Sequence, residues 1–300
     1  MARPAKYDFC DEGFLARLER LHLIAKRMAA QGPAGPRRSR WLGDGLEFAD
    51  HRDYAAGDDL RFIDWPYYAR MEKLLLRLFH EHSESDVAIL LDRSGSMSPG
   101  AAVEKFNYAR MTAAAVAFIA MGGLQRVILA PLAETLDEPL RTGRNKAQII
   151  EALEFLARVK PAGKTDLLAA AQAFARRFPS AGTVVLISDL LNSIESLGDV
   201  LARLQLPSRD VIVLHVYSPA DAAPRLEGPM LLAGSEDGRR MSLNITKELL
   251  ASYRGGWAEF QRACQHACIA RKAVYVAAPT DMPFDQLILR ALRRAGVVAL

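Results

Sequence analysis

The run Val87-Ala-Ile-Leu-Leu91 carries no polar residue and stops abruptly at Asp92; Ser94 and Ser96 follow as D-x-S-x-S. A strand with one wet face alternates apolar and polar residues. An unbroken apolar run marks a strand covered on both faces, as in the parallel sheet of an α/β protein. Sheets of that kind keep their ligand sites just beyond the carboxyl ends of the strands, where the strand order reverses. One carboxylate and two hydroxyls thus fall where an open sheet does its chemistry, and all three are oxygen ligands of the kind a hard cation takes. The same residues also suit a Ser/Gly turn closed by Asp92, and this stretch alone does not choose between the two.

From residue 86 onward, strands and helices alternate, which means parallel βαβ units. The apolar pattern predicts strands near 86–92, 126–131, 183–188, 210–217 and 272–277. It predicts helices near 103–122, 146–158, 165–178, 194–205, 246–270 and 283–295, and residues 135–140 add a short strand turning back at Pro139. Residues 219–245 interrupt the alternation, and Pro229-Met-Leu-Leu, Ser-Glu-Asp-Gly and Met241-Ser-Leu-Asn-Ile read as an inserted β-hairpin near 229–245. In front of this domain, Leu15, Leu18, Leu21, Ile24 and Met28 give a helix over 12–30, and Leu74–Phe79 reads as a strand. Between them Arg52, Tyr54, Gly57, Asp58, Asp59, Arg61, Asp64, Trp65 and Arg70 suggest an internal lattice of salt bridges, with Asp58 or Asp59 capping a short helix. The expected organisation is a segment at 1–82 packed on a main domain at 83–300.

A net charge of +4 does not by itself argue for nucleic acid, and the basic Arg37, Arg38 and Arg40 read as a solvated loop. Cys10, Cys264 and Cys268 are too few and too scattered for a disulfide framework. The first residues lack the apolar core of a signal peptide, and Met111–Leu124 falls short of the ~20 residues of a membrane span. These features give the expectation of a cytoplasmic protein without a membrane span.

Two further pieces bear on Asp92. Thr183-Val-Val-Leu-Ile-Ser-Asp189 is a second buried strand ending in a carboxylate, and Gly163-Lys-Thr165-Asp166 opens a helix, with Thr165 at its N-cap or first turn. With strand order 3-2-1-4-5-6, Asp92 and Asp189 end adjacent strands at the switch point, and Thr165 lies in the loop before. The set Asp92, Ser94, Ser96, Thr165 and Asp189 resembles the metal-ion-dependent adhesion site of von Willebrand factor type A domains. One departure is Gly-Lys-Thr in place of that family's usual Gly-Gly-Thr, which puts Lys164 near the ion. The stretch Arg52-Asp-Tyr-Ala-Ala-Gly57-Asp58-Asp59-Leu-Arg61-Phe-Ile-Asp64-Trp65, with Ala69-Arg70 after it, is similar to the signature of the bacterial family called domain of unknown function 58. That resemblance implies a Rossmann-like von Willebrand A domain, a central mostly parallel sheet with helices on both faces. It implies Mg²⁺ (or Mn²⁺ or Ca²⁺) at the five residues, with the serines, and sometimes the threonine, binding directly and the aspartates largely through water. It also implies protein binding rather than catalysis: an adaptor for a MoxR-type AAA+ ATPase, or a client protein engaged through a carboxylate at the metal.

Rival chemistries have weaker patterns. Arg158-Val-Lys-Pro-Ala-Gly163-Lys164-Thr165 resembles the end of a P-loop, which would make the chain an ATPase, but Ile149, Ile150, Leu153 and Leu156 before it have helical spacing where a P-loop follows a strand. A phosphatase using a strand-end aspartate wants a second carboxylate two residues on, where Ser94 stands, and no G-x-S-x-G elbow surrounds the serines. Cys264-x-His266-x-Cys268 on a helix puts the cysteines on one face and the histidine nearly opposite. The remaining histidines read as surface residues.

Overall fold

A computed structural model describes residues 12–31, 47–55, 58, 63–80, 86–98, 104–143, 145–191, 193–205, 209–235 and 239–296. In chain order its elements are α1 (Glu12–Gln31), β1 (Glu47–Asp53), α2 (Trp65–Met71), β2 (Leu75–His80), β3 (Asp86–Asp92), α3 (Glu104–Gly122), β4 (Val127–Leu132), β5 (Leu140–Arg141) and α4 (Ile149–Arg158). Then come α5 (Leu167–Arg177), β6 (Ala181–Ser188), α6 (Leu197–Leu204), β7 (Asp210–Tyr217), α7 (Pro219–Ala222), β8 (Gly228–Ala233), β9 (Arg240–Ile245), α8 (Lys247–Ala270), β10 (Val274–Pro279) and α9 (Phe284–Arg294).

The main sheet runs β10-β7-β6-β3-β4-β5, parallel except for the antiparallel edge strand β5. Counted from β3 as the first strand, this is the 3-2-1-4-5-6 order, so β3 and β6 are neighbours at the reversal. Every residue of β3 is buried. Its odd residues Val87, Ile89 and Leu91 join a core with α1, α3, α4 and α9. Its even residues Ala88 and Leu90 join a second core with α5, α6 and α8. The two-residue period of a strand thus feeds one apolar run into two cores.

Helix α3 is buried nearly all round, which explains its lack of an apolar stripe. The sheet covers one side and α1 lies against it, with Phe14, Leu18, Leu21 and Ala25 buried. The Phe14 ring stacks at 5.3 Å on Phe284, and the Arg17 guanidinium sits 4.3 Å above the same ring. The N-terminal helix is therefore part of the main core. The β8–β9 hairpin forms where the sequence places it, as a separate antiparallel pair. No helix among the described residues is long and apolar enough to cross a membrane.

Several expectations need correction. Strand β1 pairs with β2, although Glu47-Phe-Ala-Asp-His-Arg-Asp53 has no apolar alternation to announce it; its partner supplies the pattern. Asp64, not Asp58, caps the short helix α2, accepting from Tyr67 N at 3.0 Å and bonding His51 at 3.0 Å. Asp58 instead accepts from Ala55 N and pairs with Arg52 at 2.8 Å; Asp59, Gly57, Arg61, Cys10 and the Arg37–Arg40 loop lie outside the described residues. His215 is not on the surface: it is fully buried on β7, ringed by Tyr217, Trp257, Phe260 and Tyr275, and shares a 2.7 Å hydrogen bond with the Tyr275 hydroxyl. His22 is buried too, edge-on to Phe118 of α3.

Leu18→Ala removes a fully buried side chain from the α1–α3 contact, and a loss of about 2–5 kcal/mol in urea unfolding is expected. Burial, chiefly, pushes the His215 pKa down from 6.5 to about 4. The native state thus refuses a proton that the unfolded chain takes up, so stability falls as pH drops from 6.5 towards 4, by up to about 3 kcal/mol. Urea titrations at pH 7 and pH 4.5 should show this fall, and His215→Gln should remove it.

Candidate metal centre

Two loops meet above the carboxyl ends of β3 and β6. Backbone bonds fasten them: Ala162 N donates to Arg93 O at 2.8 Å and Gly95 N to Gly163 O at 2.8 Å. Gly163 has φ +74°, a left-handed conformation that suits glycine, and it turns the chain into α5. Asp166, not Thr165, is the N-cap of α5, accepting from Ala169 N at 2.9 Å. That frees the Thr165 hydroxyl, which donates to Asp92 Oδ1 at 2.9 Å.

Asp92 is the hub. Oδ1 also accepts from Ser94 N at 2.9 Å, and Oδ2 accepts from the Ser188 hydroxyl at 2.6 Å. Asp189 follows β6 beside it, with Oδ1 accepting from Leu191 N at 3.3 Å and Oδ2 3.1 Å from the Lys105 ammonium. Leu190, between the two, takes a left-handed φ of 58°, which costs a residue with a side chain about 1–3 kcal/mol. Its N–H donates to the Ser188 hydroxyl at 3.0 Å, holding the turn. The Ser94 and Ser96 hydroxyls hydrogen-bond to each other at 3.0 Å on a short 3₁₀ turn over 95–97. All five residues named from sequence therefore meet at one crevice.

Asp92 is buried, and burial first, then the nearby Asp189 charge, pushes its carboxyl above the usual range despite three hydrogen bonds that pull the other way. Among the described residues no three His, Cys, Asp or Glu side chains form a ligand cluster; the other oxygen donors of the five residues are the hydroxyls of Ser94, Ser96 and Thr165. Neighbouring oxygens of an octahedron with metal–oxygen distances of about 2.1 Å lie about 3.0 Å apart. The Ser94–Ser96 separation matches that edge.

Three contributors, Ser188, Lys105 and Gly95, went unread in the sequence. Ser188 sits beside Asp189 as part of an ordinary strand end. Lys105 stands in an apolar helix with no motif to mark it; it is 2% exposed and pairs also with Asp221 at 3.2 Å. Lys164, the cation expected near the ion, is exposed. Gly95 faces the hairpin turn: a Cβ there would come within 2.7 Å of Ser235 O. The P-loop alternative meets a helix, α4, where a strand is needed before Gly163-Lys164-Thr165. Cys264 and Cys268 are buried with thiols pushed up to about 12, and His266 is exposed on another face.

The family model described as "Protein of unknown function DUF58" matches residues 50–263. Uncharacterized protein Rv1480 of Mycobacterium tuberculosis is 28% identical over 303 residues, covering 97% of this chain and 93% of its own. Similar solved structures include an aerotolerance-related membrane protein from Bacteroides fragilis, at 18% identity and a TM-score of 0.45, covering 71% of this chain and 98% of that one. BatB from Bacteroides thetaiotaomicron is 17% identical with a TM-score of 0.42, and the SpRpn10 VWA domain 12% with 0.38; they cover 71% and 72% of this chain and each is covered to 98%. The chain belongs to the DUF58 family.

Gly95→Ala should push the hairpin turn off the loop at a cost of about 1–3 kcal/mol. Limited proteolysis with trypsin at Arg239-Arg240 should then run roughly tenfold faster or more than in the unaltered protein.

Proposed function

We propose that this DUF58 protein is a protein-binding module whose docking point is a divalent cation, Mg²⁺ by preference, at Asp92, Ser94, Ser96, Thr165 and Asp189. The observation that supports it most is the 3.0 Å pair of serine hydroxyls set in front of two buried carboxylates that already have partners within the chain. Ser94 and Ser96 are the direct ligands, since Asp92 and Asp189 have both oxygens engaged. Thr165 fixes Asp92, and Asp92 fixes the loop that carries the serines.

An ion held by neutral hydroxyls keeps exchangeable water positions and an uncompensated charge, which suits an outside Glu or Asp. The chain's own residues bind and orient; among the described residues, the two carboxylates grouped with the serines, Asp92 and Asp189, are already engaged in hydrogen bonds and an ion pair. Binding of a protein fits this arrangement better than turnover. We infer as partner a MoxR-type AAA+ ATPase, with the chain acting as adaptor between it and a client; what the family resemblance implies is the support for this.

A pull-down from the native host with the full chain as bait tests this. Recovery of an AAA+ ATPase should depend on Mg²⁺, vanish in chelator and vanish with Ser94→Ala/Ser96→Ala. Recovery indifferent to chelator and to the serines overturns the reading.

A further inference from the structure

Lys105 opens helix α3 with its ammonium buried between two carboxylates, 3.1 Å from Asp189 Oδ2 and 3.2 Å from Asp221 Oδ2. Neither partner is free to follow it. Asp221 accepts from Ser218 N at 2.8 Å in a reciprocal capping box at α7. Asp189 is held from behind by Leu191 N. A cation of the chain's own is thus clamped on Asp189, the carboxylate whose charge acts on Asp92. A buried ammonium is tolerated only when paired, so the lysine and the two carboxylates form one unit. Lys105 then does two things to any ion at Ser94 and Ser96: it repels it, and it occupies the oxygen of Asp189 that such an ion would draw in.

We propose that Lys105 sets the affinity and the ion preference of the site, holding Asp189 out of direct coordination so that the ion binds weakly and keeps a position for an outside carboxylate. This rests on the metal reading given above. Ca²⁺ takes more oxygen ligands than Mg²⁺ and favours carboxylates, whereas Mg²⁺ keeps several waters. Withholding Asp189 therefore handicaps Ca²⁺ more than Mg²⁺. With Lys105 and a divalent ion both present, the charges of Asp92, Asp189 and Asp221 are balanced; removing the lysine leaves a surplus carboxylate to serve the ion.

The test uses the full chain and measures Mn²⁺ binding from the electron paramagnetic resonance signal of the free ion, with Mg²⁺ and Ca²⁺ ranked by competition. Lys105→Met should bind Mn²⁺ at least about tenfold tighter, with a larger gain for Ca²⁺ than for Mg²⁺. Lys105→Arg, which keeps the charge, should stay within about threefold of the unaltered chain. Lys105→Met/Asp221→Asn removes one carboxylate along with the ammonium and serves if the single variant does not fold. Unchanged or weaker affinity in the methionine variants overturns this inference and leaves the metal reading standing. Binding by the methionine variants alone supports the lysine's role and overturns the metal reading for the unaltered chain. No Mn²⁺ bound by any of them overturns both.

Discussion

Asp92 holds three separate stretches of chain at one point: its own loop through Ser94 N, the α4–α5 loop through Thr165, and the end of β6 through Ser188. Few residues are placed to do this. It sits at the carboxyl end of the central strand, at the reversal of strand order. Burying a carboxylate there is costly unless its oxygens are bonded. The three bonds make the position tolerable, and in doing so they draw together the hydroxyls that a cation would need.

The same central strand organises the cores. Because β3 is apolar on both faces, the helices must cover both, and the N-terminal helix α1 is drawn in as the outer cover of α3. An N-terminal helix of this kind looks dispensable in sequence, being amphipathic and followed by a Gly/Pro stretch. Its Phe14, Leu18 and Leu21 say otherwise: each is at most 2% exposed. Support for the site therefore reaches back to the first described residues, since α3 carries Lys105 at its start and packs under α1.

Charge within the crevice is divided unequally. Asp189 and Asp221 share a lysine, while Asp92 has hydrogen bonds and, among the described residues, no ion pair. Asp189 is paired from within the chain, and the Asp92 carboxyl is raised by burial and by the Asp189 charge. The hairpin β8–β9 reaches this arrangement at Ser235, whose carbonyl lies against Gly95. Its turn rests on Gly95, and the segment leading into it carries Asp221. Site and hairpin are thus parts of one structure, although 140 residues of sequence separate Gly95 from Ser235.

Local pattern determined a good deal. The apolar runs of β3 and β6, the helical spacing between them and the Gly/Pro-rich breaks dictate alternation, and alternation with right-handed crossovers dictates a parallel sheet. From the sheet order, Asp92, Ser94, Ser96, Thr165 and Asp189 could be placed together before any coordinates. What tertiary structure alone decided are the contacts between residues with no motif of their own: β1 against β2, Asp64 rather than Asp58 as a cap, Ser188 on Asp92, His215 inside its aromatic ring, and Lys105 between two carboxylates. Period and spacing report which face a residue lies on, because that is a property of one element's geometry. Which partner it meets across that face depends on how separate elements pack, and a lone lysine in an apolar helix reads as a flaw until carboxylates from the end of β6 and from α7 close around it.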